Sequence, residues 1–179
     1  MGEDRRQGGE KRRLFSRILG RTLLVAVGTG NDLKYLPPDC NLVAIDISPR
    51  MIARVLVKAR RDSANVKLVL TDVQRLAFAD QTFDTVLTVC TFCSIPDPLE
   101  GLQELFRVLK PGGRLLMFEH VRSKIGPFAL ILDFMTFLTR KVGPDLNRDT
   151  VGNVLQAGFH LQREENVYLD IVKTIEAVR

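Results

Sequence analysis

The chain has 179 residues, the length of one ordinary domain, which is enough to bury a hydrophobic core without disulfides or metal ions. Hydrophobic residues make up 45% of it and charged residues 26%, a composition that excludes a disordered protein. The sequence has neither an apolar run near the roughly 20 residues that span a bilayer nor a secretory signal, so we expect a cytoplasmic protein.

The net charge of +5 is concentrated near the N-terminus. Residues 1–21 contain seven Lys and Arg against three Asp and Glu, whereas the remaining 158 residues contain 19 against 18. We therefore expect residues 1–20 to form a flexible basic leader that is solvated or touches phosphates or anionic lipid headgroups. Because the body is nearly neutral, nucleic acid is not an expected partner.

Five strand-like segments alternate with helix-like segments after this leader. Several are continuous apolar runs, which is typical of strands buried on both faces of a parallel sheet. Ser48-Pro49 and Asp97-Pro98 each place an N-cap residue before a proline, so they predict helices at residues 50–61 and 99–109. The five predicted strands are residues 23–27, 42–46, 66–70, 83–89 and 114–119.

The end of the chain predicts a different arrangement. Asn147 or Asp149 caps a short helix, and residues 159–163 and 169–178 predict a hairpin across the polar link 164–166. We therefore expect an α/β fold: a doubly wound, mostly parallel seven-stranded sheet with a C-terminal antiparallel hairpin.

Glycines and acids follow three successive strands, at the edge where such a sheet binds ligands. Gly28 and Gly30 let the backbone pass close to a ligand. Asp46 ends the second strand, and its carboxylate can accept both hydrogen bonds from a ribose diol. Asp72 follows the third strand. Together they predict a nucleoside-like ligand, whereas Leu33, in place of a third glycine, disfavours an NAD-binding domain.

Four segments resemble the class I S-adenosylmethionine-dependent methyltransferases: TLLVAVGTGNDL, LVAIDISPRMI, LVLTDVQRLAFADQTFD and LFRVLKPGGRLLMFEHVRS. The resemblance covers residues 21–179 and implies one methyltransferase domain with a Rossmann-like fold and S-adenosylmethionine as the cofactor. CTFCSIPDP, EHVRS and the ending NRDTVGNVLQAGF with DIVKTIEA are most similar to the ubiquinone/menaquinone-biosynthesis type, nearest to bacterial phosphatidylethanolamine N-methyltransferases.

The resemblance also implies a role for each strand end. The glycine turn would pass under the methionine part of the cofactor, Asp46 would hold the ribose, and Met51 would pack on the adenine face. Asp72 would read the adenine edge, and Thr88, at the end of the fourth strand, would approach the methionyl amine. The residues expected to bind the cofactor are Ala26, Val27, Gly28, Gly30, Asp46, Ile47, Met51, Asp72, Val73 and Thr88.

Two positions depart from the family pattern. Leu24 stands where the family usually has an acid, and Ala26 stands where it usually has a glycine. Ala26 is compatible with the turn if its φ is negative. Relatives also have a longer segment before the first strand. These departures leave an alternative open, in which the chain keeps the fold but acts as a binding or regulatory module.

The acceptor is expected to be a small, lipophilic molecule, such as a phospholipid amine or a quinol. The predicted helix at residues 128–140, FALILDFMTFLTR, has only a narrow polar stripe. It is therefore either buried nearly all round or lines an apolar pocket. Peripheral contact with a membrane fits this helix and the basic leader. His120, after the fifth strand, is the lead candidate for orienting the acceptor or accepting its proton, and a structural hydrogen-bonding role is equally compatible.

Cys40, Cys90 and Cys93 form no disulfide framework. Cys90 and Cys93 have the spacing of a redox pair or half a zinc site, but they close a β-rich segment and further ligands are distant in sequence. We expect them to act as small apolar residues at a strand end, with no metal bound.

Overall fold

A computed structural model of the chain describes residues 3–61, 66–121, 148–168 and 170–179. The predicted helix at residues 128–140 lies outside the described residues. The helices are α1 (Glu3–Phe15), α2 (Pro49–Arg61), α3 (Pro98–Val108) and α4 (Thr150–Gln156), with a 3-10 helix at Asn31–Tyr35. The strands are β1 (Arg21–Val25), β2 (Asn41–Asp46), β3 (Val66–Leu70), β4 (Phe83–Val89), β5 (Leu109–His120), β6 (His160–Tyr168) and β7 (Val172–Val178).

The seven strands form one sheet in the order β3-β2-β1-β4-β5-β7-β6. Strands β1 to β5 are parallel to one another, and β7 lies antiparallel between β5 and β6. The predicted fold class is therefore confirmed. The order reverses beside β1, so the carboxyl ends of β1 and β4 form the crevice in which such sheets bind ligands.

Hydrophobic side chains cover both faces of the sheet. On one face, Leu14 and Phe15 of α1 and Val55 of α2 pack against strand residues such as Leu24 and Phe118. On the other face, helices α3 and α4 pack against a larger cluster, in which α3 contributes Leu102, Leu105 and Val108. The central strands are buried on both sides, which is why their sequences are continuous apolar runs.

The N-terminal segment differs from the flexible leader that the sequence predicted. Residues 3–15 are helical, and Leu14 and Phe15 at the end of the helix are buried. These two apolar side chains dock the helix on the sheet, so the basic residues beside them are also held against the protein. Among the described residues, no helix is both long and apolar enough to cross a membrane.

Several strand boundaries differ from the prediction; β5, for example, begins at Leu109 rather than at residue 114. The first strand ends at Val25 rather than at residue 27, because the backbone of Ala26 turns into the left-handed region with a φ of 52°. The hairpin turns near Asp170, not at residues 164–166, which lie inside β6. Strand β6 lies at the edge of the sheet, where polar side chains face solvent. For this reason its polar residues 164–166 looked in the sequence like a connection between two strands.

Candidate functional site

A cavity of about 400 Å³ lies at the carboxyl ends of β1, β2, β3 and β4. Five of the predicted site residues line it: Ala26, Asp46, Ile47, Asp72 and Val73. Three of the four strand ends at the cavity thus carry residues that the sequence analysis singled out. The other lining residues are Val25, Ile45, Thr71, Cys90, Thr91, Ser94, Ile95 and Pro96.

Asp46 is the best-defined polar group of this cavity. Its side chain is part of a residue only 7% exposed, and its two oxygens face different donors. Oδ2 accepts a hydrogen bond from the backbone N–H of Gly28 at 2.9 Å, and Oδ1 accepts one from Ser48 N–H, also at 2.9 Å. Each carboxylate oxygen can accept a second bond, so two adjacent hydroxyl groups of a ribose fit this carboxylate.

The turn after β1 is built from left-handed backbone. Gly28 has a φ of 56° and Gly30 a φ of 71°, conformations that favour glycine. A Cβ on Gly30 would also come within 3.3 Å of Val55 on α2, whereas one on Gly28 would have no neighbour closer than 3.9 Å. Gly30 is therefore needed for packing against α2, and Gly28 leaves space beside the turn.

Ala26 shares the left-handed conformation with a φ of 52°, so the condition under which an alanine fits this turn without strain is not met. An L-residue in this region costs about 1–2 kcal/mol relative to glycine in the same backbone geometry. Ala26 nevertheless lines the cavity, and its side chain is exposed there. Leu24, the other departure, is buried in the core under α1 and is not among the residues that line the cavity.

The third strand end supplies Asp72 and Val73. Asp72 Oδ1 accepts a hydrogen bond from Gln74 N–H at 2.9 Å, which holds the carboxylate in a tight turn. Gln74 in turn donates from its side chain to Glu100 of α3 at 2.7 Å. These bonds fix the turn after β3 against α3, so Asp72 and Val73 hold a defined position on the cavity wall.

The loop after β4 forms the remaining wall, and its support was missed from the sequence. The carboxylate of Glu119, which is fully buried, accepts hydrogen bonds from the Thr88 hydroxyl at 2.8 Å, from Thr91 N–H at 2.9 and 3.1 Å, and from Phe92 N–H at 3.2 Å. Burial raises the pKa of Glu119 to about 7, against the opposing effect of these donors. An acid that closes the apolar segment LLMFE was the only signal for this role.

A second contact holds the same loop from outside the sheet. The guanidinium of Arg148 donates to the carbonyl oxygen of Phe92 at 3.1 Å and to that of Ile95. Glu119 holds the start of this loop at Thr91 and Phe92, and Arg148 holds it at Phe92 and Ile95. The loop wall of the cavity is therefore set by two side chains that do not line it.

Several predicted site residues are not part of the cavity wall. Thr88 is fully buried with its hydroxyl bonded to Glu119, and His120 is half-buried and pairs with Val172 of β7. Met51 lies in the first turn of α2. The other predicted residues outside the lining are Val27, Gly28 and Gly30.

The cysteines at the end of β4 are poorly suited to redox chemistry. Burial raises the pKa of Cys90 to about 12, and burial also raises the pKa of Cys93. The Cys93 thiol lies 3.5 Å from the carbonyl oxygen of Cys90, its acceptor. Both thiols therefore stay protonated near neutral pH, and Cys90 contributes its side chain to the cavity wall.

Comparison with known proteins assigns the chain to a family. A family model described as a methyltransferase domain matches residues 23–117, which include the glycine turn, Asp46 and Asp72. The chain belongs to this methyltransferase family. Its fold is shared by a SAM-dependent methyltransferase from Aquifex aeolicus, with a TM-score of 0.71, 23% identity, and coverage of 95% of this chain and 88% of that one.

Curated relatives of this methyltransferase domain differ in their acceptors. The thiol S-methyltransferase TMT1B of Homo sapiens is 31% identical over 72% of this chain and 57% of its own length. The demethylmenaquinone methyltransferase of Deinococcus radiodurans is 34% identical over 62% and 47%, and the phosphatidylethanolamine N-methyltransferase of Cereibacter sphaeroides is 32% identical over 63% and 56%. The chain thus spans about half the length of these relatives.

The family and fold imply S-adenosylmethionine as the cofactor. The cavity fits this molecule in three respects: a carboxylate with two acceptor positions left for the ribose hydroxyls, a second acid and an apolar wall for the adenine, and a left-handed turn beside them. Asp46 and Ile47 would hold the nucleoside from β2, and Asp72 and Val73 would hold it from β3.

Proposed function

We propose that the protein transfers a methyl group from S-adenosylmethionine to a small, lipophilic acceptor, such as a phospholipid amine or a quinol. The observation that carries the proposal is Asp46, whose carboxylate is fixed by Gly28 and Ser48 and still has two acceptor positions at the cavity. When bound, the cofactor supplies an electrophilic sulfonium methyl group. The chain would then contribute alignment and exclusion of water, which provide most of the rate of such transfers.

The walls of the cavity support a lipophilic acceptor. The loop after β4 contributes Cys90, Ile95 and Pro96 as apolar surface, with Thr91 and Ser94 as the polar groups. The relatives named for quinone and phospholipid methylation agree with this class. A thiol is the second candidate, because a thiol S-methyltransferase is 31% identical over most of the chain.

An amine, a phenol or a thiol acceptor each loses a proton before or during attack on the methyl group, so a base near the acceptor would assist the transfer. Glu119 is unsuitable as this base, since its oxygens are occupied by Thr88, Thr91 and Phe92. His120, which follows it at the end of β5, stays our candidate for this role.

Binding of S-adenosylhomocysteine tests the cofactor site, measured by calorimetric titration of the full chain. We expect micromolar binding, lowered at least about a hundredfold in Asp46→Ala because two charge-assisted hydrogen bonds are lost. Asp39→Ala removes an exposed acid before β2 that does not line the cavity, and it should bind as the wild type does.

Failure of the folded wild type to bind would favour the alternative, in which the fold serves as a binding or regulatory module. If binding is found, methyl transfer from labelled S-adenosylmethionine can be measured to dispersed phosphatidylethanolamine, to a quinol and to an alkyl thiol. If only the thiol were methylated, the proposed phospholipid amine or quinol would be wrong and a thiol would be the acceptor.

A further inference from the structure

Helix α2 carries a charge equal to that of the whole protein. It contains four Arg and one Lys and no acidic residue, in 13 residues. The chain has 26 Lys and Arg and 21 Asp and Glu, so the remaining 166 residues hold 21 of each. Helix α2 therefore carries as much net charge as the whole chain, and the +4 of residues 1–21 is balanced by acids elsewhere in the remaining 166 residues.

The exposed side of α2 combines cations with apolar side chains. Val55 and Ala59 are buried against the sheet, and the opposite side presents Arg50 and Arg54. Val57, between these arginines and Arg60, is 71% exposed, and Leu56 is also exposed. We define the α2 face as the exposed residues Arg50, Arg54, Leu56, Val57 and Arg60.

Three basic residues of α1 and the turn after it are paired with acids, whereas the arginines of the α2 face have no ion pair among the described residues. Lys11 pairs with Asp32 at 2.8 Å and Arg13 with Glu165 at 3.3 Å; Arg17, just after α1, pairs with Glu176. Within the described part of the chain, no carboxylate lies within ion-pair distance of Arg50, Arg54 or Arg60. Their charge is available to an external anion.

We propose that the α2 face docks the protein on an anionic lipid bilayer. Three guanidinium groups would contact lipid phosphates, and Val57 and Leu56 would enter the boundary between headgroups and acyl chains, as in other interfacial helices. Ile47 lines the cavity, is 68% exposed and lies just before α2. In this arrangement it would face the bilayer. The inference does not depend on the proposed methyl transfer.

A bilayer explains the α2 face better than a nucleic acid does. Both attract arginine through phosphate, but only a bilayer gives an exposed valine and leucine an apolar environment. Surfaces that bind single-stranded nucleic acid interleave cations with aromatic side chains on which bases stack, and α2 contains no aromatic residue.

The experiment is co-sedimentation of the full chain with vesicles of phosphatidylcholine containing about one third phosphatidylserine, at low salt. Each basic residue near an anionic surface contributes about a fivefold gain in partitioning. The variant Arg50→Gln/Arg54→Gln/Arg60→Gln should therefore lower the partition coefficient about a hundredfold. Val57→Ser, which leaves the charge unchanged, should lower it several-fold.

The matched control is Arg12→Gln/Arg13→Gln/Arg114→Gln, which removes the same charge from exposed positions outside α2. It should change partitioning less than about threefold. An equal loss in the control and in the α2 variant would overturn the proposal, because the attraction would then depend on net charge alone. Absence of wild-type binding to the phosphatidylserine vesicles, or binding to an RNA duplex without binding to vesicles, would also overturn it.

Discussion

Asp46 ends strand β2 and Glu119 lies one residue before the end of β5, so both carboxylates meet the same edge of the sheet. Asp46 accepts two backbone N–H groups and faces the cavity. Glu119 is fully buried and accepts hydrogen bonds from Thr88 of β4 and from Thr91 and Phe92 of the loop after it. The position of an acid at a ligand edge therefore does not decide its role. Its role is decided by how many hydrogen bonds the carboxylate already accepts within the protein. A carboxylate whose acceptor positions are all engaged cannot accept a hydrogen bond from a ligand.

The first prediction concerns pH, and it has the largest expected effect. Because the pKa of Glu119 is raised from 4.5 to about 7, the folded state binds a proton that the unfolded chain releases. This contribution to the free energy of unfolding is full below about pH 4.5 and is lost as the pH rises through about 7. The loss amounts to up to about 3 kcal/mol.

Urea unfolding of the wild type and of Glu119→Gln, from about pH 5 to about pH 8, measures this effect. The variant lacks the titrating group, so its stability should change less over this range than that of the wild type. Parallel profiles of Glu119→Gln and the wild type would show that burial does not raise the pKa of Glu119.

The second prediction separates loop support from cofactor binding at Thr88. Thr88→Val removes the hydroxyl that donates to Glu119 at 2.8 Å and keeps the shape of the side chain. We expect the free energy of unfolding to fall by about 1–2 kcal/mol near pH 8, where the carboxylate is charged. Affinity for S-adenosylhomocysteine, measured by calorimetry, should change less than about threefold. A tenfold loss of affinity would instead place Thr88 in the cofactor site, as the family resemblance implies.

The third prediction has the smallest effect and concerns the turn that Asp46 holds. Ala26→Gly removes the cost of a left-handed L-residue and adds the larger chain entropy of glycine in the unfolded state. The net result should be a gain of about 0.5–1 kcal/mol, or about 2 °C in Tm by calorimetry. Ala53→Gly, on the exposed side of α2, is the control and should lower stability by up to about 1 kcal/mol. A loss in both variants would show that Ala26 is not strained.

Much of the fold could be predicted because its signals are local. Continuous apolar strands, an N-cap followed by proline at Asp97 and the glycine turn after β1 each depend on neighbouring residues, and all three are present in the structure. The order of acids and glycines at the strand ends likewise predicted Asp46 and Asp72 at the cavity. These features follow from backbone geometry and burial, which the sequence encodes within short segments.

The fourth cavity wall could not be predicted in the same way. Cys90 and Thr91 reach the cavity because Glu119, 28 residues beyond Thr91, accepts the hydrogen bonds of their loop. Arg148 adds a contact from a still more distant segment. No local pattern marks which acid is saturated by such donors.

The amino-acid order alone was sufficient for the fold class, the ligand edge and the total charge of +5. Where that charge is available depends on how the elements pack together. Arg13 and Arg17 of the N-terminal segment meet acids 152 and 159 residues away, Glu165 and Glu176. The arginines of the α2 face meet no acid among the described residues. The physical reason is that ion pairing depends on distance in space: folding brings β6 and β7 beside α1, whereas it leaves the α2 face exposed to solvent.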